Sequence, residues 1–233
     1  LLVLTFGVHP QSVSDDLDEW STGRTSSELG PVALEAELED FPLDVLMAFI
    51  GARGHSGVLR VEGPRPAQLY FADGDLCGGE TVDTPINRVA LASGESPKYG
   101  DNRSLVEDHL LTALAAVLVS TDSLARFHLG APEPVLGRFR FTLDGTLEAA
   151  RERMEAWRAI ADVLPSTQIV LQLSHDLPAG LDRVVIDRAD WHIVSYVDGQ
   201  RTVAEIITTS DRTAFDVCSA LYRTIVQGVV DIP

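Results

Sequence analysis

The chain reads as an α+β protein: a small antiparallel β-meander packed with helices, followed by a linking helix and a helical C-terminal domain. Three observations carry this reading. The stretch GVLRVEGPRPAQLYFADGDLCGGE, Gly57 to Glu80, divides into β-rich runs at Val58 to Val61, Gln68 to Phe71 and Leu76 to Gly79. They are punctuated by Gly63-Pro64-Arg65-Pro66 and by Asp73-Gly74, and Asp-Gly between such runs marks a hairpin because its tight turn needs positive φ. From Thr146 to Leu164 the period changes, with Leu147, Ala150, Met154, Trp157, Ala161 and Leu164 recurring at alternating spacings of three and four. From Asp187 onward three short helical patterns and a terminal strand follow one another.

Length and composition bound the rest. With 233 residues, 45% hydrophobic and 23% charged, the chain can bury one large or two small cores. No run reaches the roughly 18 to 20 uninterrupted apolar residues of a membrane helix. Leu1 to Phe6 is too short, and lacks the basic flank, for a signal peptide. The expected location is cytoplasmic, and the missing initial Met leaves an upstream portion open. A net charge of −17 opposes the phosphate neutralisation on which nucleic-acid affinity rests, and it opposes anionic membranes equally. Basic partner proteins, or partners met through apolar patches, are favoured instead. Lys98 is the only lysine beside seventeen arginines.

The elements follow in order. Residues 1 to 32 form a strand-like run, Leu1 to Val8, and an acidic tether in which Trp20 either docks a partner or folds back onto the domain. Residues 33 to 145 are expected to form the α+β domain. Val32, Leu34, Ala36 and Leu38 alternate with Glu35 and Glu37, the period of a half-buried strand. Pro42 suits a helix start and Gly51 or Gly54 its end, with Leu43, Leu46, Phe49 and Ile50 sharing the buried face. Tyr70, Phe71 and Leu76 supply part of the meander's buried side. Pro85 to Ala92 reads as a short helix, SGESPKYGDNRS as a loop, and Leu105 to Val119 as a strongly apolar helix with Val106, Leu110, Leu114, Val117 and Leu118 inward. His109 beside that stripe is expected to be hydrogen-bonded.

Leu124 to Leu129 and Arg138 to Leu143 are the remaining strand candidates of this domain. Their interleaved Arg126, His128, Arg138, Arg140 and Phe127, Phe139, Phe141 could make an RNA platform, but alternation on a half-buried strand puts rings in the core, away from the cations. Residues 146 to 186 hold the linking helix, whose seam could also serve a homodimer contact, and short strands at Gln168 to Leu173 and Arg183 to Ile186. In residues 187 to 233, Asp187 caps a helix to Val197, and Thr202-Val-Ala-Glu205 is a capping box. A helix from Thr213 to Gln227 carries Phe215, Cys218, Leu221, Tyr222, Ile225 and Val226 on one side, before a strand Val229 to Ile232.

Chemistry has little purchase. There is no phosphate loop, dinucleotide fingerprint, metalloprotease helix or nucleophile elbow. His175-Asp176 and Asp190-x-His192 lack a nucleophile and an oxyanion site. Asp73, Asp75 and Glu80 are too few and too irregular for a cation loop. Cys77 and Cys218 lack metal-ligand spacing and read as buried thiols. No catalytic residue, metal or cofactor is expected.

The segment LEAELEDFPLDVLMAFIGARG, the Gly-led strand at Gly57 and the strand ending Phe-Ala-Asp-Gly-Asp-Leu, followed by helices, resemble the PATAN domain of bacterial response regulators over roughly residues 33 to 145. The stretch VDGQRTVAEI, ending in GVVDI, is similar to the winged-helix-like modules that accompany such domains. The resemblance implies a non-enzymatic signalling adaptor whose partners are other proteins, signalling or motility components. Candidate partner-binding residues are Arg60, Arg65, Asp73, Asp75, Lys98, Tyr99, Arg212 and Arg223. The surfaces to consider are the outer face of the meander, the loop Ser93 to Arg103 and the helix from Thr213. Two alternatives stand beside it. A DNA-binding regulator would need a basic surface at Arg201, Arg212 and Arg223, although the chain ends before a wing hairpin is completed. A nucleotide second-messenger sensor would need Arg60, Arg65 or Arg138 to converge.

Overall fold

The computed structural model describes residues 30–82, 84–93, 101–120, 122–175, 183–210 and 212–233. The tether with Trp20, and Lys98 and Tyr99, lie outside them. The fold is α+β, and the described residues up to Met154 form one compact unit and those from Glu155 to Pro233 a second. The helix Leu143–Val163 contributes to both.

The first unit is built on a five-stranded antiparallel sheet. Its elements are β1 (Val32–Glu37), α1 (Leu43–Ala52), β2 (Gly57–Glu62), β3 (Ala67–Ala72), β4 (Asp75–Thr81), α2 (Arg88–Ser93), α3 (Asn102–Leu118), β5 (Leu124–Leu129) and α4 (Leu143–Val163). Strand order is β1-β5-β2-β3-β4, so the meander β2-β3-β4 is extended by β5, which lies between β1 and β2. The β3–β4 turn is tight, with Asp73 at φ 55° and Gly74 at φ 89°, the left-handed pair of a primed hairpin turn.

Packing explains the glycines of β4. A Cβ on Gly79 would stand 3.0 Å from side-chain atoms of both Leu110 and Leu69, and one on Gly78 3.0 Å from Leu136. Their absence lets α3 lie close on the sheet, where Val106, Leu110, Ala113 and Leu114 are buried. Asp101 caps α3 by accepting from the Ser104 amide at 2.7 Å. Every residue of β3 and all but the first of β4 are buried, so the meander has no open outer face there, contrary to the sequence expectation.

Further departures concern Arg138 to Leu143 and α1. The former is no strand. Residues 134–138 turn, Phe141 alone bridges to Leu76, and Leu143 already begins α4. Phe139 and Phe141 are buried as expected, but cations do sit on them: Arg138 lies 5.0 Å from the Phe139 ring centroid and Arg103 4.6 Å from that of Phe141. In α1 the buried set is Leu43, Leu46, Met47 and Ile50, with Phe49 outside.

The second unit holds β6 (Gln172–Leu173), α5 (Arg188–Val194), α6 (Val203–Thr209), α7 (Ala214–Val226) and β7 (Val230–Asp231). Ile160, Leu171, Ile193, Val197, Ile206, Val217, Leu221 and Val230 share its core. Asp187 and Thr202 cap their helices as expected, the latter in a full capping box with Glu205. Arg183 to Ile186 is not a strand, and Val226 is exposed while Val217 takes the buried place. Strand β7 pairs antiparallel with β6, which precedes all three helices in sequence.

Candidate functional site

The first unit holds one buried charged cluster among the described residues. Gln68 and Tyr70 alternate on β3, and Glu80 sits opposite Gln68 on β4. Glu80 is fully buried. Its Oε1 accepts from the Tyr70 hydroxyl and from Arg88 Nη2 at 2.8 Å, and its Oε2 accepts from the Ile86 amide at 2.8 Å and Arg88 Nη1 at 3.3 Å. Tyr70 has a single hydroxyl proton for two acceptors, Glu80 and Gln68, and the carboxylate is the stronger. Arg88 also reaches Glu133 at 3.4 Å and lies 5.5 Å from the Tyr70 ring centroid.

Burial, then the Glu80 charge, hold the Tyr70 hydroxyl well above its ordinary range. Burial by itself lowers the Arg88 guanidinium, but the hydrogen bond with Glu80 and the surrounding acidic groups Tyr70, Glu80 and Glu133 together outweigh it and raise it. Neither group is poised to exchange a proton near neutrality. Every strong acceptor position on Glu80 is used within the cluster, so it fastens the start of α2 to the sheet. Nearby, His109 Nδ1 donates to the Thr84 carbonyl at 3.0 Å, and burial holds its pKa below the ordinary 6.5. Burial pushes Cys77 and Cys218 each up to about 12, as inert thiols should be.

The sequence-predicted contact residues are dispersed. Asp73 and Asp75 meet at the β3–β4 turn, where Arg140 pairs with them at 3.2 and 3.6 Å. Ser56 Oγ accepts from the Asp73 amide at 2.8 Å, and the Gly74 amide donates to the His55 carbonyl at 3.0 Å, which holds the turn against the end of α1. Arg60 lies mid-strand on β2, half-buried, opposite Gln68 and Arg126. Arg126 in turn bridges Glu35 at 2.6 Å and Glu62 at 2.7 Å. Arg65 is exposed in the β2–β3 loop, and Arg138 donates to the Leu91 carbonyl at 3.1 Å. The arginines from which a nucleotide sensor would draw, Arg60, Arg65 or Arg138, thus occupy separate settings.

In the second unit Arg212 is exposed just before α7. Arg223 is bound by both carboxylate oxygens of Asp190, Nε to Oδ2 at 2.8 Å, and Arg201 pairs with Asp198 at 3.6 Å. Two of the three arginines expected to face DNA are therefore committed to carboxylates.

Sequence reasoning missed the outer face of α1. Phe41, Val45 and Phe49 recur every four residues and are 54, 53 and 48% exposed, with Ala48 and Ala52 also exposed beside them. Arg53 lies 5.4 Å from the Phe49 ring centroid, and Asp44 pairs with Arg151 at 3.4 Å. The signal was present: LDVLMAFIGA contains one charged residue in ten, and a helix apolar all round normally has both sides covered. Here the inner side packs on the domain and the outer side faces solvent.

Comparison of the chain with family models, with curated proteins and with solved structures yields no match.

Proposed function

We propose that the chain is a bacterial signalling adaptor of PATAN-like type, non-enzymatic and cytoplasmic, acting through protein–protein contacts with signalling or motility components. The observation that carries this reading is the exposed apolar stripe of Val45 and Phe49 on a helix with a single charged residue, continued by Phe41 just before the helix cap. Contiguous exposed apolar side chains of this kind mark interaction sites in soluble domains. The antiparallel meander suits the resemblance of residues 33 to 145. Among the described residues no helix is long and apolar enough to cross a membrane.

Charge supports protein over nucleic acid as the partner. The sequence from Glu155 to Pro233 carries six arginines against eleven carboxylates, and Arg201 and Arg223 are already paired. A DNA reader needs phosphate contacts to position it. The test is a pull-down from nuclease-treated bacterial lysate with the full chain and with Val45→Glu as baits. A discrete protein retained by the wild type and lost with Val45→Glu is expected. Recovery that depends on intact nucleic acid would overturn the reading.

A further inference from the structure

We infer that the outer face of α1 receives an amphipathic helix of a partner protein, apolar along its contact stripe and basic at the end that lies beside Glu37, Glu39 and Asp40. This rests on the adaptor reading and specifies the chemistry of the partner. The shape argues for a helix. Val45 and Phe49 stand one turn, about 6 Å, apart along the axis, and Phe41 continues the apolar stripe from just before the Pro42 cap. Ala48 and Ala52, one turn apart and both exposed, form a low strip beside these rings into which another helix can settle at close range. A helical face offers no free backbone ladder for an incoming strand.

The electrostatics give the occupant its polarity. Glu37 at the end of β1, and Glu39 and Asp40 in the turn leading to Phe41, are exposed and form no ion pair among the described residues. By contrast Asp44 is paired with Arg151, and Asp73 and Asp75 with Arg140. The opposite end of the stripe carries Arg53. Three unmatched carboxylates at one end thus call for Lys or Arg on the partner, and a chain of −17 steers basic partners toward it. A second copy, laid antiparallel, would offer one Arg53 to three carboxylates while bringing −17 against −17. An anionic membrane is repelled by the same charge.

The test uses a phage-displayed library of 16-residue amphipathic helices, randomised at the charged positions of both ends. It is panned on the full chain and counter-selected on Val45→Glu. Glu at this position lies in the first turn of α1, where a negative charge agrees with the helix dipole, so the variant should fold, and Ala48→Arg provides an independent block. Enriched sequences should carry Lys or Arg at one end. A synthetic peptide from the pool should lose affinity by about tenfold or more on Val45→Glu and on Ala48→Arg. It should lose roughly threefold to tenfold on the double variant Glu39→Lys, Asp40→Lys, with binding weakened by salt. Enriched helices with neutral or acidic ends, or indifference to the double variant, would overturn the basic helix while leaving the adaptor surface standing. No enrichment, peptides indifferent to both face variants, or sedimentation showing a dimer that Val45→Glu dissolves, would overturn the assignment of this face.

Discussion

Replacing Arg88 by Met should destabilise the first unit by about 3 kcal/mol at pH 8, through the carboxylate it leaves behind. Breaking a buried ion pair from one side costs roughly 3–5 kcal/mol because the remaining charge is stranded. Glu80 is fully buried, while the Arg88 side chain is about a quarter exposed, which places the expected cost near the lower end of that range. Met keeps much of the aliphatic packing against Tyr70, so lost volume adds little. About 3 kcal/mol is roughly a hundredfold or more in the unfolding constant. The assay is urea denaturation followed by far-UV circular dichroism, because neither Trp157 nor Trp191 lies in the sheet unit. One signature identifies the mechanism: Glu80→Gln added to Arg88→Met should recover about 1–2 kcal/mol by removing the charge. A deficit below about 1 kcal/mol, or no recovery in the double variant, would refute the reasoning.

Three further outcomes follow from the geometry. His109 is held neutral by burial, so the unfolded chain binds more protons as pH falls below about 6.5. Stability should be complete above that pH and decline toward pH 5, and His109→Gln should flatten this component in urea titrations across the range. Gly74→Ala should cost roughly 1–3 kcal/mol in thermal melts, since its φ is 89° and the new Cβ would stand 2.6 Å from the Gly51 carbonyl oxygen. Thr202→Ala removes the hydroxyl that accepts from the Glu205 amide and donates to the Glu205 carboxylate, leaving only the backbone half of the box, and should cost about 1 kcal/mol in the second unit, read by Trp157 and Trp191 fluorescence.

Where a signal is local, the sequence read well. The Asp73-Gly74 turn, the caps at Asp187 and Thr202 and the period-two strands are fixed by residues within a few positions of one another. Arg138 to Leu143 imitates a strand because Arg and Phe alternate there. The segment has a pairing partner only at Phe141, so alternation without a neighbouring strand misled. The sequence pattern puts Phe49 inward because α1 is apolar on both sides, and periodicity cannot say which side of such a helix meets the domain. The Tyr70, Glu80, Arg88 cluster joins residues 10 and 18 positions apart, a convergence that only the register of β3 on β4 and the start of α2 create. The contact residues expected from the sequence are, apart from Tyr99, charged, whereas the surface that stands out is the apolar one.

The position of β5 carries a consequence for how the chain reaches its fold. The meander β2-β3-β4 closes through short loops, but β1 finds its neighbour only after some ninety intervening residues, as the pairing of Glu35 with Arg126 illustrates. A nascent chain emerging as far as Leu118 therefore displays two unpaired strand borders, β1 and the outer side of β2, until β5 arrives and joins both. Non-local closure of this kind is slow, and open strand borders recruit other chains. Synthesis halted before Leu129 should accordingly yield aggregates, and one strand added late pairs a border of β1 and the open border of β2 at once, leaving β1 as an edge of the finished sheet.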